Sequence, residues 1–139
     1  MVAAGGNGHD FGWKLAGAPA EWVVRPAQPP VGPLLPGIAG RSPLPAIGDS
    51  AVIDALGLGA ACLRFAPNLF SAMLEYVDPA FDTKEAHLPF VGPHPALPDG
   101  VRVGLDLARE RICLGVMLGM VDAGGHAGLI GRGVAPWPV

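Results

Sequence analysis

Large apolar side chains first alternate with polar or small ones near the start of the chain. Phe11, Trp13 and Leu15 occupy every second position, which is the period of a half-buried strand. Gly17 and Pro19 then interrupt the pattern before the apolar run 22–24. The pattern therefore predicts a β-hairpin near the N-terminus.

The next apolar stretch follows Gly48-Asp49-Ser50 and predicts a helix that extends to about Phe65, with Asp49 or Ser50 as its N-cap. Gly57 and Gly59 each cost about 1 kcal/mol relative to alanine inside a helix, so they indicate a close backbone neighbour or a break. The side chains on nearly all faces of this helix are apolar or small, so the helix should be buried. The large apolar ones are Val52, Ile53, Leu56, Leu58, Leu63 and Phe65.

A second helix is predicted from Pro67 to about Asp78, with an apolar face formed by Leu69, Phe70, Met73, Leu74 and Val77. Proline-rich loops are expected over 26–47 and 87–100, and a helix from about Val103. A buried strand over 113–123 should precede a glycine-rich exit. The predicted fold class is α+β: a single loop-rich domain over residues 1–139, whose small sheet combines the N-terminal hairpin with a C-terminal strand and packs on a buried helix pair.

Composition narrows the class of protein. Half of the 139 residues are hydrophobic and 15% are charged, which excludes a disordered chain. The net charge of −3, with scattered Lys and Arg, predicts no nucleic-acid partner. The ten apolar residues 112–121 are too few to cross a membrane. The start resembles no secretory signal, and Cys62 and Cys113 lack any paired spacing, so a cytoplasmic location with reduced thiols is expected.

The residue spacings in this chain do not match the familiar cofactor-binding or metal-binding motifs. Cys62 stands where a dinucleotide fingerprint beginning at Gly57 needs its third glycine, and no lysine follows a glycine cluster as in a P-loop. The histidines do not form a metal-binding pair; they are His9, His87, His94 and His126. No metal and no cofactor are predicted.

Asp49-Ser50 itself leaves three interpretations. It can cap its own helix, or the helix N-terminus can bind an anion through unpaired N–H groups. The third interpretation is a GDS-type serine esterase, with Ser50 as the nucleophile. Against it, the candidate Asp122…His126 pair is one residue too long for the expected Asp-x-x-His, and Val52 replaces the last glycine of a nucleophile elbow.

Five segments in order resemble the C-terminal portion of the AllG-like (YlbE-like) bacterial family; they are NGHDFGWKLAG, EWVVRPA, IGDSAVIDALGLGA, GVRVGLDL and AGLIGRGVAP. The best understood members of this family resemble a subunit of oxamate carbamoyltransferase from anaerobic allantoin degradation, and are several times longer than this chain. The sequence departs from the family pattern at Gly6 and Asp54, where Arg and Glu are usual. A family cation is also missing from 121–131, which leaves Arg132 as its substitute.

The resemblance implies transfer of a carbamoyl group between phosphate and oxamate, with small anionic substrates (carbamoyl phosphate, oxamate or oxalurate) and other subunits as partners. It implies catalytic roles for Asn7, Asp49 and Asp54. The anion-binding set would be Gly8, Gly48, Ser50, Ala51, Gly131, Arg132 and Gly133, the last three in a glycine loop. The alternative from another class is a noncatalytic assembly or ligand-binding domain that contributes one wall to a site completed by a separate chain.

Overall fold

A computed structural model of the chain describes residues 1–97, 101–109 and 114–138. It shows a single mixed domain with few helices and small antiparallel sheets, which confirms the predicted class. A four-stranded sheet has the order β3-β2-β1-β4, and β5-β6 and β7-β8 form two further pairs. The strands are β1 Ala3–Asn7, β2 Asp10–Leu15, β3 Ala18–Pro26, β4 Ile47–Gly48, β5 Phe90–Pro93, β6 Arg102–Leu105, β7 Gly115–Val121 and β8 Leu129–Pro136.

Within the described residues, the helical elements lie between β4 and β5 and are all short. The α-helices are α1 Ala51–Ala55 and α2 Pro67–Met73, and the 3-10 helices are η1 Ala60–Phe65, η2 Pro79–Asp82 and η3 Lys84–His87.

The N-terminal hairpin is confirmed, because β2 and β3 pair antiparallel with Trp13 opposite Val23. Phe11 and Trp13 point into the core, where both rings contact Trp137, with centroids 5.0 and 5.9 Å from it. These aromatic contacts hold the C-terminal end against the first sheet. Strand β1 was not predicted, since its sequence AAGGN has no alternation of large apolar side chains.

The long connection between β3 and β4 lies against β8. Val31 and Val134 exchange backbone hydrogen bonds of 3.1 and 3.0 Å. A Cβ on Gly133 would lie 2.6 Å from the Val31 carbonyl oxygen, and one on Gly131 would lie 2.5 Å from the Pro33 carbonyl oxygen. The glycines of β8 therefore allow two backbones to pass at hydrogen-bonding distance.

The long buried helix predicted from Ser50 to Phe65 is wrong. The chain turns at Gly57, whose φ is +82°, and a Cβ there would collide with the Arg102 carbonyl oxygen. The helix therefore divides into α1 and η1. The expected burial is also wrong for α1, because Val52, Ile53 and Leu56 are exposed.

Four predictions for the C-terminal half are wrong. The helix expected from Val103 is strand β6, which pairs with β5 inside the region expected to be a loop over 87–100. The glycine-rich exit is mostly strand β8, and β7 pairs with it in a separate hairpin rather than joining the N-terminal sheet. Residues 98–100, and 110–113 with Cys113, lie outside the described residues.

Replacing Gly133 by alanine should lower the free energy of unfolding by about 1–3 kcal/mol, because the added methyl group must push the Val31 backbone away from β8. Gly92→Ala is the matched control, since Gly92 also lies in a strand but a Cβ there meets no atom within 4 Å. Urea unfolding of both variants measures the difference. Equal stabilities would contradict the structural role of the β8 glycines.

Candidate functional site

The Asn-Gly and Gly-Asp-Ser motifs, some 40 positions apart in sequence, are neighbours in the fold. Gly6 pairs with Gly48 and Asn7 with Ile47, where β1 meets the two-residue strand β4. The Gly8 N–H donates to the Ala46 carbonyl oxygen at 3.1 Å. Gly8 and Gly48 have φ values of +86° and +96°, a conformation that favours glycine. We call this place the β1–β4 junction.

Asn7 fixes the turn that follows β1. Its Oδ1 accepts the backbone N–H groups of His9 at 2.9 Å and Asp10 at 2.7 Å. This arrangement is an Asx-type turn. The Nδ2 amide group lies on the side of the planar carboxamide opposite Oδ1, and the residue is exposed. The turn therefore presents two N–H donors in a fixed direction.

Ser50 begins α1 from the β1–β4 junction, but its side chain does not cap the helix. The first turn instead uses backbone groups: the Asp49 carbonyl oxygen accepts Val52 N–H at 2.9 Å, and that of Ser50 accepts Ile53 N–H at 3.0 Å. Ala51 is buried beneath the turn. Asp49 is exposed, and Ser50 lines the cavity beside α1.

This cavity, of about 370 Å³, lies between α1, η1, α2 and β7. Asp54 is the buried acid on its wall, and the carboxylate accepts Ala60 N–H at 2.6 Å and Met117 N–H at 3.0 Å. Burial raises the pKa of Asp54 to about 7, although both hydrogen bonds act in the opposite direction. Burial also raises the pKa of the Cys62 thiol. The lining is otherwise mainly apolar: Ile53, Leu58, Gly59, Leu63, Ala66, Leu69 and Met117.

His87, which the sequence offered only as one of four histidines without a metal-binding spacing, is completely buried and lies 3.8 Å from the Cys62 sulfur. Its Nε2 is 3.1 Å from the Gly57 carbonyl oxygen and must donate to it. Burial lowers the pKa of His87, so the ring is neutral. With its proton held by Gly57, Nε2 cannot act as a base for the thiol.

The geometry gives the esterase interpretation no support. Asp122 accepts backbone N–H groups from Gly124, His126 and Ala127 at 3.0–3.1 Å, so it contacts His126 through the main chain rather than the ring. These hydrogen bonds lower the pKa of Asp122, and Arg41 pairs with it at 3.2 Å. Asp122 therefore organises the turn between β7 and β8 instead of orienting a catalytic histidine.

The expected glycine loop at Gly131–Gly133 is wrong as a loop, because these residues form the middle of β8. Their neighbours are β7 and the connection after β3, and the Arg132 N–H donates to the Pro33 carbonyl oxygen at 3.4 Å. In the structure, Asn7, Gly8 and Gly48 are therefore neighbours. Ser50 follows Gly48 at the N-cap of α1, and Asp54 lies within that helix. An anion-binding role for Arg132 stays a prediction.

Residues 1–97, 101–109 and 114–138 contain no group of three His, Cys, Asp or Glu side chains placed to hold a metal ion. No described helix is long and apolar enough to span a membrane.

Comparison with known proteins supports the resemblance noted in the sequence. The model of the family described as oxamate carbamoyltransferase subunit AllG matches residues 1–50. The chain is 33% identical over 76 residues to the uncharacterized protein YahG of Escherichia coli K12, covering 55% of this chain and 16% of YahG. It is 32% identical over 63 residues to the oxamate carbamoyltransferase subunit AllG of the same strain, covering 45% and 15%.

The fold also superposes on the crystal structure of a conserved protein of unknown function from Enterococcus faecalis V583. The TM-score is 0.71 at 20% identity, and the superposition covers 99% of this chain and 35% of that one. The matches confirm the resemblance to the AllG-like family, with the family model matching over residues 1–50. The matched regions make up about a sixth of the two curated relatives and about a third of the solved structure.

Asn7→Ala should destabilise the protein by about 1 kcal/mol, because the N–H groups of His9 and Asp10 lose their acceptor. Asn7→Asp keeps that acceptor and should change the free energy of unfolding by only a few tenths of a kcal/mol. Chemical denaturation of the two variants tests the difference. If Asn7→Asp were as unstable as Asn7→Ala, the turn would not depend on Oδ1.

Proposed function

We propose that this AllG-like chain is part of an oxamate carbamoyltransferase-type subunit, in which the β1–β4 junction forms one wall of a site for a small anionic substrate. The observation that carries the proposal is the pairing of the two motifs at this junction. The family match over residues 1–50 supports it, because that stretch contains both Asn7-Gly8 and Gly48-Ser50.

The reaction requires hydrogen-bond donors more than a nucleophile. Oxalurate and phosphate exchange with oxamate and carbamoyl phosphate: the carbamoyl C–N bond breaks as a C–O bond to phosphate forms, and the amide nitrogen of oxamate takes up a proton. Both sides of the reaction are anionic. Negative charge that develops on the carbamoyl oxygen is stabilised by donors already fixed in place.

Asn7 is suited to this task. Its Oδ1 accepts two backbone N–H groups, so the orientation of the Nδ2 amide group is set before a ligand binds. An amide also avoids the full positive charge that would bind both substrate and product tightly. We assign Nδ2 to a carboxylate or carbamoyl oxygen of the substrate, with the Ser50 hydroxyl as a second donor at the start of α1.

The two acids have different positions. Asp49 is exposed next to the junction and can orient the attacking amide nitrogen. Asp54 is buried, and both of its oxygens accept backbone N–H groups. It therefore acts as a positioning residue for α1, and through α1 for Ser50, instead of contacting substrate.

A noncatalytic assembly domain is the second candidate, and the outer face of α1 favours it. Val52, Ile53 at the rim of the cavity and the C-cap residue Leu56 are 41%, 51% and 44% exposed, whereas the buried residues of this helix are Ala51, Asp54 and Ala55. Exposed apolar clusters of this kind occur where proteins bind each other. The E. coli relative named a subunit agrees with a site that is completed by other chains.

Titration of the ¹⁵N-labelled chain with oxamate, oxalurate and carbamoyl phosphate tests the proposal. Saturable NMR shifts are expected at the amides of Asn7, Gly8 and Gly48–Ala51. Asn7→Asp should weaken binding at least tenfold, because a carboxylate then replaces the donor and repels the anion. The turn persists in this variant because the acceptor is retained.

Asn68→Asp is the matched control, since it makes the same change of charge at an exposed position on α2. It should bind like the unaltered chain. Absence of saturable shifts at the junction, or equal weakening by both substitutions, would refute the anion site. Saturable binding without turnover, even when partner subunits are added, would favour the noncatalytic candidate.

A further inference from the structure

The four-stranded sheet has a groove on its outer face. Side chains alternate along a strand, so Gly12 lies on the face opposite to Phe11 and Trp13, which enter the core. Gly5 pairs with Gly12 across β1 and β2, and neither residue places a side chain on the floor. The groove has a volume of about 420 Å³. We call it the outer groove; its lining includes Gly5, Asn7, Asp10, Gly12, Trp22 and Val24.

The outer groove adjoins the β1–β4 junction. Gly6 and Asn7 line the groove, and the same two residues pair with Gly48 and Ile47 at the junction. A Cβ on Gly5 would lie 2.9 Å from the Gly48 carbonyl oxygen, so the floor of the groove is next to β4. A ligand that bonds to the Asn7 amide can therefore extend over the groove.

Trp22 of β3 forms an aromatic wall of the outer groove. A Cβ on Gly12 would lie 3.1 Å from Cε3 of the indole, so the ring packs on a strand position that has no side chain. The Lys14 ammonium lies 4.9 Å from the ring centroid, which is a cation–π contact. Trp22 remains 55% exposed, whereas Trp13 and Trp137 are 5% and 4% exposed. The indole is therefore positioned by its neighbours and still accessible to a ligand.

Asp10 gives the groove a direction. Its backbone N–H donates to Asn7 Oδ1 at 2.7 Å, so Asp10 lies on the β2 side of Asn7, whereas Ser50 follows β4 on the other side. The Asp10 carboxylate is partly exposed. A carboxylate repels the anionic end of a substrate and accepts hydrogen bonds from N–H groups. A substrate on Asn7 thus directs its carboxylate toward Ser50 and its N–H groups toward Asp10.

We propose that the outer groove receives the carbamoyl group of the substrate and that Trp22 determines specificity for this group. The inference rests on the proposed function, because it starts from a substrate bound to Asn7. Oxalurate differs from oxamate by one planar, neutral carbamoyl group on the amide nitrogen. With its oxygen on Asn7 Nδ2, this group lies against the indole and donates its N–H groups to Asp10. Such a combination of an aromatic wall and a few polar groups is usual in small-molecule sites.

The cavity beside α1 is the competing place for this group, and its chemistry fits less well. Its lining is mainly apolar, and both oxygens of the Asp54 carboxylate already accept backbone N–H groups. A carbamoyl group loses hydrogen bonds to water when it enters an apolar cavity without new partners. The open groove beside Asn7 imposes no such loss.

Tryptophan fluorescence tests the wall directly in the full chain. Trp22 is the exposed one of the three tryptophans, so acrylamide quenching reports mainly on its indole. Saturating oxalurate should lower this quenching about twofold, because a bound ligand covers the ring. Saturating oxamate should leave it nearly unchanged. Trp22→Ala should remove most of the quenchable emission, and the remaining emission of Trp13 and Trp137 shows that the core is intact.

Calorimetric titrations of variants separate contact with the carbamoyl group from general effects. Trp22→Ala should weaken binding of oxalurate about tenfold and that of oxamate less than about threefold, because only oxalurate reaches the indole. Trp22→Phe should restore most of the affinity for oxalurate. Leu129→Ala is the matched control: Leu129 is also an exposed apolar side chain, at 57%, and it also packs over a strand glycine, Gly119. It should bind both ligands like the unaltered chain.

Asp10→Ala tests the direction of the substrate. Binding of oxalurate should weaken about threefold because its N–H groups lose an acceptor. Binding of oxamate should instead tighten slightly, because a repelling charge is removed. A change of both affinities in the same direction would contradict the assigned orientation.

Equal loss of affinity for oxalurate and oxamate in Trp22→Ala would overturn the role of Trp22, as would undiminished quenching with oxalurate bound. Failure of this inference is distinguishable from failure of the proposed function. NMR shifts at Asn7 on addition of oxalurate, without protection of Trp22, contradict the groove and leave the junction site. Protection of Trp22 without shifts at Asn7 contradicts the role of the junction and leaves the groove as the binding place of the carbamoyl group.

Discussion

Close approach of backbones at glycine residues is the constraint on which the structure depends. Gly6 lies against the Ala46 carbonyl oxygen, Gly133 against that of Val31, and Gly57 against that of Arg102. Each contact joins segments that are far apart in the sequence, and each leaves no room for a Cβ. Such crossings and the aromatic core together join the segments of the domain, and the crossings account for several glycines of this apolar chain.

The same constraint forms the candidate site. Because Gly6 carries no side chain, the segment 46–48 can reach β1 and place Gly48 beside it, which brings Asn7 next to the start of α1. Gly59 admits the Asp54 carboxylate in the same way. In the proposed site, the backbone groups of the junction and the side chains of Asn7 and Ser50 are thus positioned by residues that contribute no chemistry of their own.

Local patterns predicted some elements and not others. Alternation of Phe11, Trp13 and Leu15 identified β2, and the apolar run before Asp122 identified β7, because their large side chains face a core. Strands β1 and β8 lack a regular alternation of large apolar and polar side chains, because glycine or alanine occupies four of the five positions of β1 and glycines flank Arg132 in the middle of β8. Their pairing depends on a distant segment that fits against them, and no short-range pattern reports such a fit.

The candidate site, like the secondary-structure elements, could be predicted only in part from the sequence. Asn-Gly and Gly-Asp-Ser stood out as motifs and are adjacent in the fold, but the expected side-chain cap by Asp49 or Ser50 is made by backbone groups. The function of Gly59 could not be recognised from sequence, because it depends on the direction in which Asp54 points. Gly131 and Gly133 resembled a ligand loop but accommodate the connection after β3, so a glycine-rich stretch alone does not distinguish a binding loop from a backbone crossing.

The electrostatics of the junction follow from these positions. A site for anions usually contains Arg or Lys, yet the described contacts place Arg41 on Asp122 and the backbone of Arg132 on the connection after β3. The junction itself offers neutral donors, and Asp49 beside it is acidic. A wall of this kind offers an anion hydrogen bonds that are charge-assisted by the acceptor alone, and no cation among the junction residues offsets the acidic Asp49 beside it. Under the proposed function, tight binding of the substrate therefore requires positive charge from a separate surface.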